Sequence, residues 1–107
     1  MGLFGLFSNK TDINETVAGL NDNPQAVLLD VREPSEYASG HIPGSRNYPV
    51  GSIAKSCRDF PDQDAPIYVY CQSGVRSSAA AKTLRNAGFT NVTDLGGIMR
   101  YKGALER

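Results

Sequence analysis

The chain has 107 residues, of which 40% are hydrophobic and 21% are charged. This size and composition are typical of a single soluble globular domain with its own core. Eleven basic and eleven acidic residues cancel to a formal net charge of zero, which excludes the basic surface that nucleic acid binding requires. Two cysteines and one histidine match no paired zinc-ligand spacing, so we expect no structural metal.

Residues 1–10 form an apolar N-terminal segment, and residues 11–107 are predicted to form the domain. The segment has neither a basic leader nor the length of a signal-peptide core, and Leu6 stands where a myristoylation signal requires Ser or Thr. We therefore expect a reduced, cytoplasmic protein. For Leu3, Phe4, Leu6 and Phe7, packing on the domain is favoured over contact with a membrane or a partner, although both remain open.

The first half of the chain predicts alternating helices and strands. A helix is predicted to begin after Asp12, to carry Ile13, Val17 and Leu20 on one face, and to end before Pro24. The runs that follow predict a strand, a short helix and a second strand, in that order: 26–31, 34–40 and 46–50.

The second half continues the alternation. Ile53, Cys57 and Phe60 share one face of a predicted third helix. Further along, Gly88 is expected to end a helix in the left-handed conformation, with Phe89 making the hydrophobic contact of a Schellman motif. The remaining predicted elements are a strand, this helix, a fourth strand and a closing helix, in that order: 67–70, 77–87, 92–95 and 98–105.

Strands alternating with helices at this spacing predict an α/β fold, with right-handed crossovers, a parallel β-sheet and helices on both of its faces. In such sheets, ligands bind beyond the carboxyl ends of the strands. The turn after Tyr70 is therefore the predicted site.

Cys71 follows that strand directly and precedes a glycine-containing turn and a helix. Gly74 lets successive amide hydrogens converge, and the helix N-terminus adds partial positive charge, so the pKa of Cys71 is expected to fall. We interpret Cys71 as a catalytic thiolate rather than a buried hydrophobic residue. The side-chain direction of Arg76 stays open. The predicted anion cradle comprises Gln72, Ser73, Gly74, Val75, Arg76 and Ser77.

Four motifs in this order give the chain a resemblance to single-domain rhodaneses from about Asp12 onward. They are LDVRE at 29–33, GHIPGS at 40–45, CQSGVR at 71–76 followed by Ser77, and LGGI at 95–98. One departure is that a tryptophan often follows the glycine pair in this family, whereas this chain has none and offers Tyr101. The resemblance implies the rhodanese-like fold.

The resemblance also implies sulfurtransferase activity. Cys71 would accept a sulfane sulfur from thiosulfate or a persulfide donor and become a persulfide. It would then pass that sulfur to a thiophilic acceptor, which is cyanide in vitro and a thiol or a protein in the cell. This ping-pong cycle requires no cofactor. We expect a monomer.

Other polar residues near the motifs are interpreted as structural. Asp30, Arg32 and Glu33 follow the first strand, and in the resemblance this cluster supports neighbouring loops. His41 is expected to be a hydrogen-bonded turn residue, because an ionised thiolate needs no base. Cys57 is expected to pack in the core rather than take part in the chemistry.

Two rival functions remain open. A phosphatase or arsenate reductase on the same fold generally places five residues between cysteine and arginine, whereas Cys71 and Arg76 are separated by four. The phosphatase cysteine also often follows a histidine, and here Tyr70 occupies that position. The second rival is a rhodanese-fold sulfur relay or protein-interaction module with little turnover of small substrates.

Overall fold

A computed structural model describes residues 11–107, so the expectation for the apolar segment 1–10 lies outside the described residues. The strands are β1 Val27–Asp30, β2 Arg46–Asn47, β3 Ile67–Cys71 and β4 Val92–Gly97. The α-helices are α1 Ile13–Gly19, α2 Pro34–Ser39, α3 Ile53–Ser56 and α4 Val75–Asn86. Short 3-10 helices follow at Leu20–Asp22, Val50–Ser52, Cys57–Asp59 and Ile98–Arg100.

The four strands form one sheet in the order β2-β1-β3-β4, and all three pairings are parallel. Leu29 of β1 pairs with Arg46 on one side and with Val69 on the other. The register between β3 and β4 shifts after Val69, so that Cys71 pairs with Gly97. The predicted parallel α/β sheet is confirmed, and β3 lies between β1 and β4.

Helices cover both faces of this sheet, as predicted. On one face, Leu29 and Val69 pack with Leu84 of α4 and Ile53 of α3. On the other face, a second cluster has its own members: Ile13, Leu28, Ile42, Tyr70, Leu95 and Ile98. Alternation along the strands explains the division, since neighbouring side chains point to opposite faces. Each fully buried aliphatic side chain stabilises the fold by about 1.5–3 kcal/mol.

The C-terminus of α4 has the predicted Schellman geometry. The Phe89 amide donates to the Leu84 carbonyl at 3.1 Å, and the Gly88 amide donates to the Arg85 carbonyl at 3.0 Å. Gly88 has φ +106°, which a residue with a side chain rarely adopts.

Two predicted elements are shorter than expected. The second strand stops at Asn47, although the Tyr48 and Val50 amides still donate to the Asp30 and Val31 carbonyls, and a 3-10 helix follows. The predicted third helix ends at Ser56, and a 3-10 turn carries the chain to Phe60, which is still buried in the same core.

The start of α4 lies two residues before the prediction. Gly74, with φ +111°, completes the turn after β3, so the helix begins at Val75 instead of Ser77. Arg76 and Ser77 therefore belong to the first helical turn and not to the loop.

The predicted closing helix over 98–105 is wrong. Only Ile98–Arg100 is helical, as a single 3-10 turn. Beyond it the chain extends, and Glu106 exchanges two backbone hydrogen bonds of 2.8 Å with His41. This antiparallel bridge, together with Gly103 in the segment, favours extended backbone over a helix. Within residues 11–107, the helices are too short or too polar to cross a membrane.

Candidate active site

Cys71 is the last residue of β3, and only three residues separate it from α4. The tight turn brings the Gly74 amide to 3.0 Å from the Cys71 Sγ, to which it donates. The Ser77 Oγ lies 3.6 Å from the same sulfur. This hydroxyl can accept from the thiol or rotate to donate to the thiolate. Cys71 exposes only 1% of its surface, so the sulfur lies beneath the turn.

The surroundings of Cys71 shift its ionisation. Burial acts to raise the pKa of the thiol, but hydrogen bonds from the Ser77 hydroxyl and from the amides of Ser77, Gly74 and Ser73 outweigh it. The pKa of Cys71 is therefore lowered from its ordinary value, because these donors stabilise the thiolate more than the thiol. The direction agrees with the expectation from the sequence.

Two glycines of β4 pack directly against the turn. A side-chain carbon added to Gly97 would lie 2.5 Å from the Gln72 carbonyl oxygen and 2.9 Å from the Ser73 Cα. Gly96 has φ +85° and its Cα approaches Gly74. The sequence analysis noted this glycine pair only as part of the resemblance to rhodaneses. A glycine inside a strand is nevertheless a sign of close backbone approach.

Arg76 lies in the first turn of α4 and forms a bidentate ion pair with Glu36 of α2. Its Nη1 lies 2.7 Å from Glu36 Oε1, and its Nη2 lies 3.0 Å from Oε2. This contact answers the open question of its direction, since the guanidinium faces α2. The hydrogen bond from Arg76, with a second from the Glu33 amide, lowers the pKa of Glu36 to about 2. Sequence reasoning did not single out Glu36.

Asp30 and Arg32 form a buried ion pair behind the turn. Arg32 Nη2 donates to Asp30 Oδ2 and to the Gly40 carbonyl, both at 2.7 Å. Its Nη1 reaches the Gln72 Oε1 at 3.4 Å. Burial opposes the charge on Arg32, but the hydrogen bonds and charge of Asp30 outweigh it and raise the pKa of Arg32. One guanidinium thus links β1, the start of the 40–45 turn and the loop after Cys71.

The other two residues expected to be structural lie near α2. Glu33 precedes this helix, is exposed, and donates its amide to Glu36 Oε1 at 2.9 Å. The His41 ring stacks on Tyr37 with ring centroids 3.7 Å apart, and its Nδ1 lies 2.9 Å from the Tyr37 carbonyl oxygen.

Tyr70 makes contacts in the site to which sequence reasoning assigned no role. It is fully buried, and its hydroxyl accepts from the Ile42 amide at 3.1 Å and donates to Ser45 Oγ at 3.2 Å. Burial raises the pKa of Tyr70, so the hydroxyl stays neutral. The residue before the cysteine thereby anchors the 40–45 turn.

The remaining predicted residues are at the surface or away from the turn. Gln72 and Ser73 are exposed, and Val75 is 77% exposed. Cys57 packs at the edge of the core with its Sγ 3.6 Å from the Ile53 carbonyl oxygen, and it is not in a disulfide. Across residues 11–107, there is no group of three or more His, Cys, Asp or Glu side chains able to hold a metal ion.

The fold and the site define a class of parallel α/β domains in which a buried cysteine lies between a central strand and the start of a helix. Comparison with known proteins makes this more specific, because the family model described as the rhodanese-like domain matches residues 13–104. The chain belongs to the rhodanese-like domain family.

Several relatives carry informative names. The chain is 38% identical over 101 residues to the putative sulfur carrier protein YrkF of Bacillus subtilis, covering 94% of this chain and 49% of that protein. It is 42% identical over 72 residues to the thiosulfate sulfurtransferase GlpE of Pseudomonas entomophila, covering 67% of this chain and 65% of that protein. The chain therefore spans between about half and two thirds of these relatives.

A solved structure described as rhodanese with anions from E. coli superposes with a TM-score of 0.72 at 28% identity. The match covers 77% of this chain and 98% of that one. The similarity extends over nearly the whole E. coli domain, so the fold is that of a rhodanese.

Proposed function

We propose that the protein is a sulfurtransferase that carries a sulfane sulfur on Cys71 as a persulfide. The donor is thiosulfate or a persulfide, and the acceptor is a thiol or a protein in the cell and cyanide in vitro. The relatives named thiosulfate sulfurtransferase and putative sulfur carrier support this class of reaction. A reducing compartment such as the cytoplasm would keep the thiol available.

The observation that carries the proposal is the pair of hydrogen bonds to one sulfur. The Gly74 amide at 3.0 Å and the Ser77 hydroxyl at 3.6 Å lower the pKa of Cys71 without any base. Because Cys71 is only 1% exposed, a donor can reach it only with a small terminal atom. A sulfane sulfur at the end of a donor meets this requirement.

In the first half-reaction, the Cys71 thiolate attacks the outer sulfur of the donor. The new bond joins Sγ to that sulfur, and the bond between the two donor sulfurs breaks with its electron pair. Thiosulfate releases sulfite, and a persulfide releases a thiolate. Charge is conserved in both cases, and no external oxidant or reductant is consumed.

The second half-reaction regenerates the thiolate. The acceptor attacks the terminal sulfur of the persulfide, the sulfur–sulfur bond breaks, and its electrons return to Sγ. The amides of Ser73 and Gly74 and the helix N-terminus lie where they can stabilise negative charge on both sulfurs. Cyanide leaves as thiocyanate, which gives the assay its product.

The Arg76 contact weakens the phosphatase alternative. In that chemistry an arginine would bind the oxygens of a transferred phosphoryl group. Here both terminal nitrogens of Arg76 bind the carboxylate of Glu36. A dedicated sulfur relay remains a second candidate, because one relative is named a putative sulfur carrier.

The decisive experiment is intact-mass measurement before and after incubation with thiosulfate or a low-molecular-weight persulfide, followed by cyanide. We expect a gain of one sulfur atom, its loss as thiocyanate, and neither event in Cys71→Ser. Cys57→Ser is the matched control and should load normally.

The outcome separates the candidates. Loading without steady-state thiocyanate production from small donors would favour the relay. Failure of every sulfane donor to load, together with hydrolysis of an aryl phosphate, would refute the proposal.

A further inference from the structure

The charged side chains around the Cys71 turn are balanced. Arg76, the charged residue nearest the turn in the first turn of α4, is paired with Glu36 through two hydrogen bonds. Arg32, behind the turn, is paired with Asp30. Arg76 and Arg32 could attract an anionic donor, but each is already paired with a carboxylate.

The cavity beside the turn repeats this balance. It has a volume of about 520 Å³ and is lined by Ser73 and Gly74 of the turn and by Gly97 of β4, whereas Arg76 and Glu36 lie outside it. The two charged residues that line it are Asp94 and Arg100, one of each sign. Attraction for an anion at this opening comes mainly from backbone amides and the helix N-terminus.

Donors differ in the charge they bring to this site. Thiosulfate carries two negative charges, and a simple alkyl persulfide anion carries one. The Cys71 thiolate adds one more, so the complex holds three charges with thiosulfate and two with the persulfide. Repulsion between like charges in a poorly hydrated site disfavours the more highly charged complex.

On the basis of the proposed function, we propose that Glu36 is a specificity-determining residue. By holding Arg76 on the α2 side of the turn, it keeps the charges around Cys71 balanced and favours singly charged persulfide donors over the thiosulfate dianion. The cavity beside the turn fits an alkyl group, since Val75 lines it and is 77% exposed. Arg76 is within electrostatic reach of Cys71, whose charge contributes to raising the pKa of Arg76 after the larger effects of Glu36.

The test compares two donors, thiosulfate and N-acetylcysteamine persulfide, in wild type and Glu36→Gln. Loss of the Glu36 carboxylate frees the positive charge of Arg76. This should raise kcat/KM for thiosulfate by roughly three- to tenfold at low ionic strength, and it should raise kcat/KM for the persulfide by less. A general loss of active enzyme lowers kcat/KM for both donors equally, so it does not change the ratio of the two kcat/KM values.

Salt dependence is an independent readout. In wild type, added KCl should leave kcat/KM for thiosulfate unchanged or raise it, because the salt screens repulsion. In Glu36→Gln the same value should fall with salt, because attraction to Arg76 is then screened. This reversal would not result from a purely structural role of Glu36.

Glu33→Gln is the matched control, because it removes the same charge at the start of the same helix without releasing Arg76. In Glu33→Gln, we expect the donor ratio, which is kcat/KM for thiosulfate divided by kcat/KM for the persulfide, to change by less than twofold. If Glu36→Gln does not fold, Ser73→Lys places a cation at the exposed side of the turn and should favour thiosulfate in the same way.

The inference is overturned if both donors load Cys71 but the donor ratio in Glu36→Gln or Ser73→Lys stays within twofold of wild type. A steep fall of wild-type thiosulfate turnover with salt would also overturn it, since this would reveal a net positive opening. If neither donor adds sulfur to Cys71, the proposed function itself fails, and the inference fails with it.

Discussion

Ser77 is the side chain through which α4 contacts the sulfur of Cys71. Its hydroxyl lies 3.6 Å from Sγ, 3.1 Å from the Gly74 carbonyl oxygen and 3.4 Å from the Gly96 carbonyl oxygen. The serine is fully buried, so water cannot easily replace it. It therefore links the nucleophile, the turn and β4 at one atom.

We predict that Ser77→Ala raises the pKa of Cys71, because the thiolate loses a hydrogen-bond donor. A hydrogen bond to a charged group contributes about 1.5 kcal/mol or more, so alkylation by iodoacetamide at pH 7 should slow by about tenfold. The measurement is the pH dependence of the alkylation rate of Cys71 in a Cys57→Ser background.

Ser78→Ala is the control, because Ser78 is an exposed serine of the same helical turn and the hydroxyl at Cys71 Sγ belongs to Ser77. Its alkylation profile should match that of the parent. An unchanged profile in Ser77→Ala would show that the backbone amides of the turn alone activate the sulfur.

At the scale of secondary-structure elements, β4 packs directly against the turn that follows Cys71. An added side-chain carbon at Gly97 would lie within 3 Å of backbone atoms of both Gln72 and Ser73, and backbone cannot move aside as a flexible side chain can. The contact fixes how close the turn stands to the sheet. The Gly74 amide at 3.0 Å from Sγ depends on that position.

We expect Gly97→Ala to displace the turn and to slow sulfur loading of Cys71 by more than tenfold, with a loss of about 1–3 kcal/mol in the free energy of unfolding. Loading is followed by intact mass, and stability by urea denaturation. Gly51→Ala is the matched control, since a side-chain carbon there meets no atom within 4 Å. Normal loading in Gly97→Ala would contradict the assigned positioning role.

The elements that sequence predicted well are those with local causes. Hydrophobic runs located all four strands, and Gly88 with Phe89 indicated the end of α4 together with its Schellman motif. Cys71 was placed correctly between a strand and a helix because the strand, the glycine and the helix are all local in sequence.

The elements that sequence predicted poorly depend on distant contacts. The start of α4 is a local exception, because the left-handed Gly74 lets the helix begin at Val75 without a side-chain cap. The extended C-terminal segment is held by the backbone of His41, which is far away in sequence. Arg76 could not be oriented, because its partner Glu36 lies forty positions away.

At the scale of the whole molecule, Glu36 and Arg76 connect α2 to the first turn of α4. Both side chains are about one third exposed, at 32% and 31%. The same carboxylate also accepts from the Glu33 amide, so it joins the start of α2 to the start of α4. The pair thus contributes to stability as well as to the charge balance around the Cys71 turn.

The pKa of Glu36 falls from 4.5 to about 2 on folding, first because of its hydrogen bond from Arg76. A carboxylate with a depressed pKa stabilises the fold above its unfolded value and loses that contribution as pH falls toward the folded value. We therefore expect the contribution of Glu36 to be complete above pH 4.5 and to disappear between pH 4.5 and about 2. Partial exposure limits it to about 1 kcal/mol.

Urea denaturation of wild type and Glu36→Gln at pH 7 and at pH 3 tests this expectation. The variant should be less stable than wild type at pH 7 by about 1 kcal/mol. The difference should shrink at pH 3, because Glu36 is then protonated in the unfolded chain while it stays ionised in the folded protein. Glu15→Gln, which removes an exposed carboxylate of α1, should show no such convergence. A difference that stays constant with pH would mean that Glu36 stabilises the fold by packing rather than by its charge.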